Sequence, residues 1–298
     1  MGDPHLRTSV TIKLPLISVY IATRNRESLL QRAMSSVLSQ SYPNLELLVV
    51  DDASTDGTSQ VLANWSERDP RVRFSVLSAP AGAPVARNQA IRMATGDFVT
   101  GLDDDDIFLP QRLELFLSHW QTLKPDQDKA FLYSQTRAVG PGGAVESRMP
   151  AQATVDLLCV SNCIGNQVFA PREAFLSAGG FTEGLPAWQD LDLWLSMMRL
   201  GLKGHLVDEV TMELDASPRG DRISDQARTR IEAARDALLA RHVWLSHAQR
   251  RDLYLQSLSR HYNFDIRWRD VAKVWRLDPT RQTTRRVLSL WWRRLRGR

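Results

Sequence analysis

Residues 86–110 read ARNQAIRMATGDFVTGLDDDDIFLP. A helical pattern closes on Gly96, a short apolar run covers Asp97–Leu102, and four aspartates follow, Asp103 to Asp106. Glycine at a helix end, then a short apolar run, predicts a helix feeding a buried strand whose end is acidic. The same alternation extends upstream. Leu16–Ala22 (LISVYIA) reads as a buried strand, and ESLLQRAMSSVLSQ after it places Leu29, Leu30, Ala33, Met34, Val37 and Leu38 on one helical face. Leu45–Asp52 (LELLVVDD) reads as a second strand. STDGTSQVLANW then brings a Ser/Thr/Asp capping cluster and a helix. Val72–Leu77 is a third strand, Pro84 opens the next helix, and Pro110–Leu123 follows the acids as another. Strands separated by helices of this length call for right-handed crossovers, so the expected fold is α/β: a Rossmann-like, mostly parallel central sheet flanked by helices.

Ligands of such sheets sit beyond the carboxyl ends of the strands. Those ends carry Thr23-Arg24-Asn25, Asp51-Asp52 and Asp103–Asp106, one acidic rim. No GxGxxG follows the first strand and no GxxxxGK[ST] occurs, which removes the main support for a dinucleotide fold or a P-loop enzyme. The 298 residues are 43% hydrophobic and 24% charged, ordinary for a globular protein. Two cysteines, Cys159 and Cys163, are too few for a disulfide scaffold and lack a second pair for zinc, so reduced thiols are expected. No apolar run is long enough to span a bilayer, and the N-terminal residues lack the apolar core of a signal peptide; a cytoplasmic location is expected.

Adjacent carboxylates after a strand suit a hard divalent cation, Mn²⁺ or Mg²⁺, held by one or two protein oxygens, with a diphosphate supplying others. They also repel one another, so a cation or a cationic side chain is expected beside them. Asp52 can accept a hydrogen bond from a pyrimidine imide, while Asp51 suits capping of the ASTDGT turn. In AWQDLDLWLSMMRLG, Asp190 is the candidate general base and Asp192 is expected to serve the helix start. Trp188 reads either as an acceptor-stacking ring or as core. His205 and His242 read as core or surface residues rather than metal ligands.

Four segments, ISVYIATRN, LELLVVDDASTDGT, ARNQAIRMATGDFVTGLDDDDIFLP and AGGFTEGLPAWQDLDLWLSMMRLG, occur in the order and spacing of inverting family 2 glycosyltransferases, which the chain therefore resembles over about residues 15–225. The resemblance implies the GT-A fold, a nucleotide-diphosphate-sugar donor, most often UDP-linked, and a divalent metal. It puts nucleotide contacts on Ala22, Thr23 and Arg24, a uracil contact on Asp52, and the Asp-x-Asp motif on Asp103 and Asp105. Asp105 would bind the metal and Asp103 the ribose or the metal, with Asp104 or Asp106 assisting. The family's Glu-Asp pair falls on Gln189-Asp190, which makes Asp190 the catalytic base although Gln189 replaces the usual Glu. Arg24 stands where some members place an aromatic ring. Arg87 would contact the diphosphate or, equally, pair with the acid cluster. Arg222 and Ser224 would belong either to a lid or to a plain surface loop. The rival readings are a nucleotidyltransferase and a non-catalytic sugar-nucleotide or glycan-binding protein.

The chain carries +4 overall, but residues 260–298 hold 12 Arg/Lys and three Asp, so this segment is +9 and the rest −5. The expected division is a catalytic domain over 1–224 and a helical, basic, Trp-rich extension over 225–298. TTRRVLSLWWRRLRGR mixes tryptophan with arginine, which suits peripheral contact with an anionic inner membrane and a saccharide or glycolipid acceptor such as lipopolysaccharide core. No nucleic-acid-binding motif accompanies the charge, and no nucleic acid partner is expected.

Overall fold

The computed structural model describes residues 14–123, 129–217, 228–259, 262, 264 and 266–295. The parallel half of the sheet follows the expected alternation. β1 (Ile17–Thr23), β2 (Leu45–Asp51), β3 (Val72–Val76) and β4 (Phe98–Gly101) lie in the order β3-β2-β1-β4, all parallel. They are joined by helices α1 (Glu27–Leu38), α2 (Thr58–Arg68) and α3 (Ala83–Met93). Asp97, expected within a strand, instead accepts the Leu16 N–H at 2.9 Å, latching the start of β1 beside β4.

Beyond β4 the sheet changes direction. β5 (Ile107–Phe108) and helix α4 (Arg112–Thr122) are followed by the long β6 (Ala130–Gly140), then β7 (Gly143–Glu146) and β8 (Gln152–Ala153). Next come α5 (Val155–Val160), β9 (Phe169–Pro171), α6 (Arg172–Ser177), α7 (Gln189–Arg199) and β10 (Lys203–Asp215). β9 pairs antiparallel with both β4 and β6, β10 runs parallel to β6, and β5 closes the path antiparallel to β10. The sheet is therefore mixed, parallel in its first half.

Alternation along β1 sends Ile17, Val19 and Ile21 into the core shared with α1 and α4, while Tyr20 faces the core under α3 and α7. Trp194 of α7 is fully buried there and donates Nε1–H to the Gly165 carbonyl at 3.1 Å. Four further helices, α8 (Arg228–Arg241), α9 (His247–Gln256), α10 (Trp268–Leu277) and α11 (Arg281–Leu295), extend the same core. Ile231, Leu238, Leu253, Tyr254, Val274 and Val287 are buried in one cluster with Tyr20 and Trp194. The helical extension thus packs on the α3 and α7 side of the sheet. The expected boundary at 224/225, and with it Arg222 and Ser224, lies outside the described residues. Among the described residues, no helix is long and apolar enough to cross a membrane.

Candidate functional site

The ends of β1, β2 and β4 open on a cavity of about 860 Å³, within the size range of small-molecule sites. Ala22, Thr23, Arg24, Asp52, Arg87 and Asp103 to Asp106 all line it, so every donor-side residue expected from sequence lies at one cavity.

Each acid is held differently. Asp51 is fully buried and accepts from Ser54 N at 3.0 Å and Ser59 Oγ at 2.7 Å, the structural role its turn required. Asp52 accepts Ala81 N–H at 2.6 Å and Gly82 N–H at 2.9 Å, which fixes the loop into α3. Gly82 takes φ +92 there, a conformation that favours glycine. Thr23 Oγ1 donates to Asp104 Oδ2 at 2.8 Å, and burial raises the Asp104 carboxyl to about 6 despite that bond.

Asp103 is the most heavily bonded. Its Oδ1 accepts from Arg87 Nη2 at 2.9 Å and Gln167 Nε2 at 3.0 Å, and its Oδ2 from Asn166 Nδ2 at 2.7 Å. Gln167 in turn accepts from Tyr20 Oη at 3.0 Å. A Cβ at Gly101 would collide with Gln167 and Tyr20, so glycine at the end of β4 lets this chain of hydrogen bonds reach Asp103. Asn166 and Gln167 were not singled out from sequence; they sit in an unpatterned loop before β9, and nothing in their spacing announces them.

Asp106 is turned inward, 5% exposed, and accepts the Asp215 N–H at 3.0 Å. Burial, with repulsion from Asp103 and Asp105, pushes its carboxyl well above the usual range. Arg112, 1% exposed, lies between the rings of Phe108 and Phe116, 4.5 Å from each centroid. Burial draws its guanidinium down to about 9, and Asp106 opposes that shift. The expected cationic side chains are therefore present, Arg87 at Asp103 and Arg112 beneath Asp106.

Arg87 links this rim to α7. Its Nη1 lies 3.5 Å from Asp190 Oδ1 and donates to Gln189 Oε1 at 3.1 Å, while its Nη2 holds Asp103. Of the two open readings for Arg87, its pairing with the acid cluster is observed. The Asp190 Oδ1 is buried without a hydrogen-bond partner. Burial raises the Asp190 carboxyl to about 7, with Arg87 pulling down and Asp103 pushing up.

Asp192 departs from its expected helix-start role. It is fully buried and accepts from Thr182 Oγ1 at 2.5 Å, His242 Nε2 at 2.8 Å and Arg241 Nε at 3.1 Å. Burial raises its carboxyl, but the bonds from His242 and Thr182 outweigh this and hold it below the usual range. Arg241 and His242 lie about fifty residues later in sequence, so no local pattern reveals them. Trp188, the residue before α7, packs on the core and donates to Tyr262 Oη at 2.7 Å, the core alternative of its two readings. Cys159 and Cys163 are free thiols, and burial pushes Cys159 up to about 12.

No group of three or more His, Cys, Asp or Glu among the described residues is arranged as a metal cage. The rim fits a more modest demand. Asp103 Oδ1 already accepts two bonds and Oδ2 one, leaving one lone pair free, and Asp105 lines the cavity beside it. That oxygen set suits a hard cation taking one or two protein ligands and the remainder from phosphate and water.

Residues 18–148 match the family described as Glycosyl transferase family 2. WfgD of Escherichia coli, named a UDP-Glc:alpha-D-GlcNAc-diphosphoundecaprenol beta-1,3-glucosyltransferase, is 31% identical over 62% of this chain and 70% of its own length. The chain belongs to glycosyl transferase family 2. WcaA of E. coli K12, whose name places it in colanic acid biosynthesis, is 38% identical to this family 2 chain over 62% of it and 66% of WcaA. Among solved structures, Staphylococcus aureus TarS with UDP-GlcNAc superposes with a TM-score of 0.64 at 22% identity, covering 84% of this chain and 73% of TarS. The mannosyltransferase PcManGT of Pyrobaculum calidifontis, with GDP-Man and Mn²⁺, gives 0.61 at 18% identity over 92% and 79%. The fold of this glycosyltransferase is thus GT-A, a mixed sheet flanked by helices.

Proposed function

We propose that this glycosyltransferase inverts: it moves a sugar from a UDP-linked donor to a hydroxyl of an envelope saccharide in one displacement, with Asp190 as base. The observation that carries this reading is Arg87, whose two terminal nitrogens reach Asp103 on the donor rim and Asp190 on α7. A donor at the rim would then present its anomeric carbon toward Asp190.

Asp52 lines the cavity, and its two carboxylate oxygens each accept one backbone hydrogen bond, which leaves acceptor capacity for a uracil imide. Ala22, Thr23 and Arg24 would flank the nucleotide. Asp103 and Asp105 would hold Mn²⁺ or Mg²⁺, which, when bound, stabilises the charge on the departing diphosphate. Above about pH 7 Asp190 is ionised and can take the acceptor hydroxyl's proton as the new bond forms. Direct attack opposite the leaving group inverts the anomeric centre and needs no covalent enzyme intermediate.

An acceptor linked to lipid, such as lipopolysaccharide core, fits the extension. Over 266–295 the two acids, Asp270 and Asp278, are buried and pair inward with Arg228 and Arg251. Outward, Trp268, Trp275 and Trp292 are 76%, 53% and 59% exposed, among exposed residues such as Arg269, Lys273, Arg276, Arg281 and Arg285. That combination supports peripheral contact with an anionic bilayer. The test of the activity is a screen of UDP- and GDP-sugars for Mn²⁺-dependent hydrolysis or transfer. UDP release from a UDP-sugar is the expected result, and silence across the set would refute it.

A further inference from the structure

Asp190 receives little from its own side-chain contacts, since Arg87 at 3.5 Å is its ion-pair partner and Oδ1 has no hydrogen bond. Its position is set by the backbone that carries it, and the C-terminal helices grip that backbone on both sides. Before Asp190, Arg230 of α8 donates Nη2–H to the Pro186 carbonyl at 3.2 Å. Trp188 then adopts φ +60, a left-handed conformation that costs a bulky side chain about 1–2 kcal/mol. The indole is held by Tyr262, whose Oη accepts its N–H at 2.7 Å. Tyr262 is stacked on Phe264 at 5.6 Å, and the Arg228 guanidinium lies 5.7 Å from the Phe264 ring centre. After Asp190, Asp192 is locked by Arg241 and His242 at the end of α8. His242 Nδ1 accepts from Trp244 Nε1 at 3.2 Å, which leaves Nε2 as the N–H donor to Asp192.

We infer that the C-terminal helical region positions the base: Tyr262, through Trp188, and His242, through Asp192, set where the first turn of α7 holds the Asp190 carboxylate. The inference rests on the proposed role of Asp190. A helix turn fixed at residues 186, 188 and 192 by a neighbouring bundle leaves the carboxylate aimed without hydrogen bonds of its own, so it stays basic enough to take a proton. Misplacing a reacting group by an ångström costs turnover far more than it costs substrate affinity.

The test uses the full chain and Tyr262→Phe, which removes one hydroxyl and keeps the ring. Amide hydrogen exchange is followed across residues 186–193, and turnover is measured with UDP-glucose and Mn²⁺. Exchange in 186–193 is expected to quicken about tenfold, the weight of one lost hydrogen bond, with β1 and β4 unchanged. The kcat is expected to fall about tenfold with the KM for UDP-glucose held within about twofold. Trp188→Phe removes the donor of the same bond together with some core packing, so the double variant should cost no more than Trp188→Phe alone. Unchanged exchange in 186–193, or quickened exchange with kcat intact, would overturn the inference, as would effects that multiply in the double variant. A parent enzyme that leaves UDP-glucose untouched counts against the donor reading alone, and the exchange measurement decides the clamp without any donor.

Discussion

Asp103 and Asp190 flank one guanidinium and live in opposite surroundings. Asp103 sits at the end of β4 and accepts three hydrogen bonds, from Arg87, Asn166 and Gln167. Asp190 sits in the first turn of α7, near the same Arg87, with a buried oxygen that nothing bonds. Donors from two separate chain segments fix the Asp103 carboxylate in place. The α7 side withholds such donors, and burial raises its carboxyl to about 7. One side chain type thus serves two chemistries, and the number of donors offered to it decides which.

Removing the starved carboxylate tests that contrast most severely. Asp190→Asn is expected to lower turnover by about 10²–10⁴-fold while Mn²⁺–UDP affinity, measured by calorimetry, stays near that of the parent. Arg87 joins the two sides, so its loss should damage both. Arg87→Ala leaves two carboxylates without their shared partner and should cost about 3–5 kcal/mol in denaturant unfolding, with Mn²⁺–UDP binding weakened as well. Unaltered binding in that variant would separate the rim from Arg87.

The raised carboxyl also gives a signed pH dependence. An acid whose folded value lies above its unfolded value favours the folded state while protonated, and that advantage fades as pH rises from about 4 to 7. Asp190→Asn should therefore stabilise the protein by about 1–3 kcal/mol at pH 8 relative to pH 4, read from paired urea melts. In the parent, kcat/KM should climb with pH and level off above about 7, because the ionised form is the proton acceptor. A profile that falls over this range would assign the proton transfer to another group. A separate effect is expected on the helical extension. Arg281→Glu with Arg285→Glu should weaken binding to vesicles containing phosphatidylglycerol by about 1 kcal/mol or more per charge, without altering sugar-nucleotide hydrolysis in solution.

The first hundred residues were legible because each strand is a short apolar run between punctuated helices, and the second and fourth runs end in the acids that form the rim. Asp51 as a turn cap and Arg87 as partner of the acid cluster were likewise within reach of local chemistry. The antiparallel half was not. β9 has three residues, too few for a periodicity, yet it joins β4 to β6 and reverses the sheet's direction. Asp192 shows the same limit at the level of one side chain. Its place in a first helical turn suggested the helix dipole, whereas His242, fifty residues later, claims it. Asn166 and Gln167 reach Asp103 only because β9 lies beside β4.

Anomalous scattering from a crystal grown with Mn²⁺ and UDP-glucose interrogates the paired acids most directly. Mn²⁺ should lie on Asp105 with the free lone pair of Asp103, and the glucose anomeric carbon should face Asp190 with room between them for one acceptor hydroxyl. Manganese away from the acid rim, or a donor seated with its diphosphate against Asp190, would contradict the division of roles between Asp103 and Asp190.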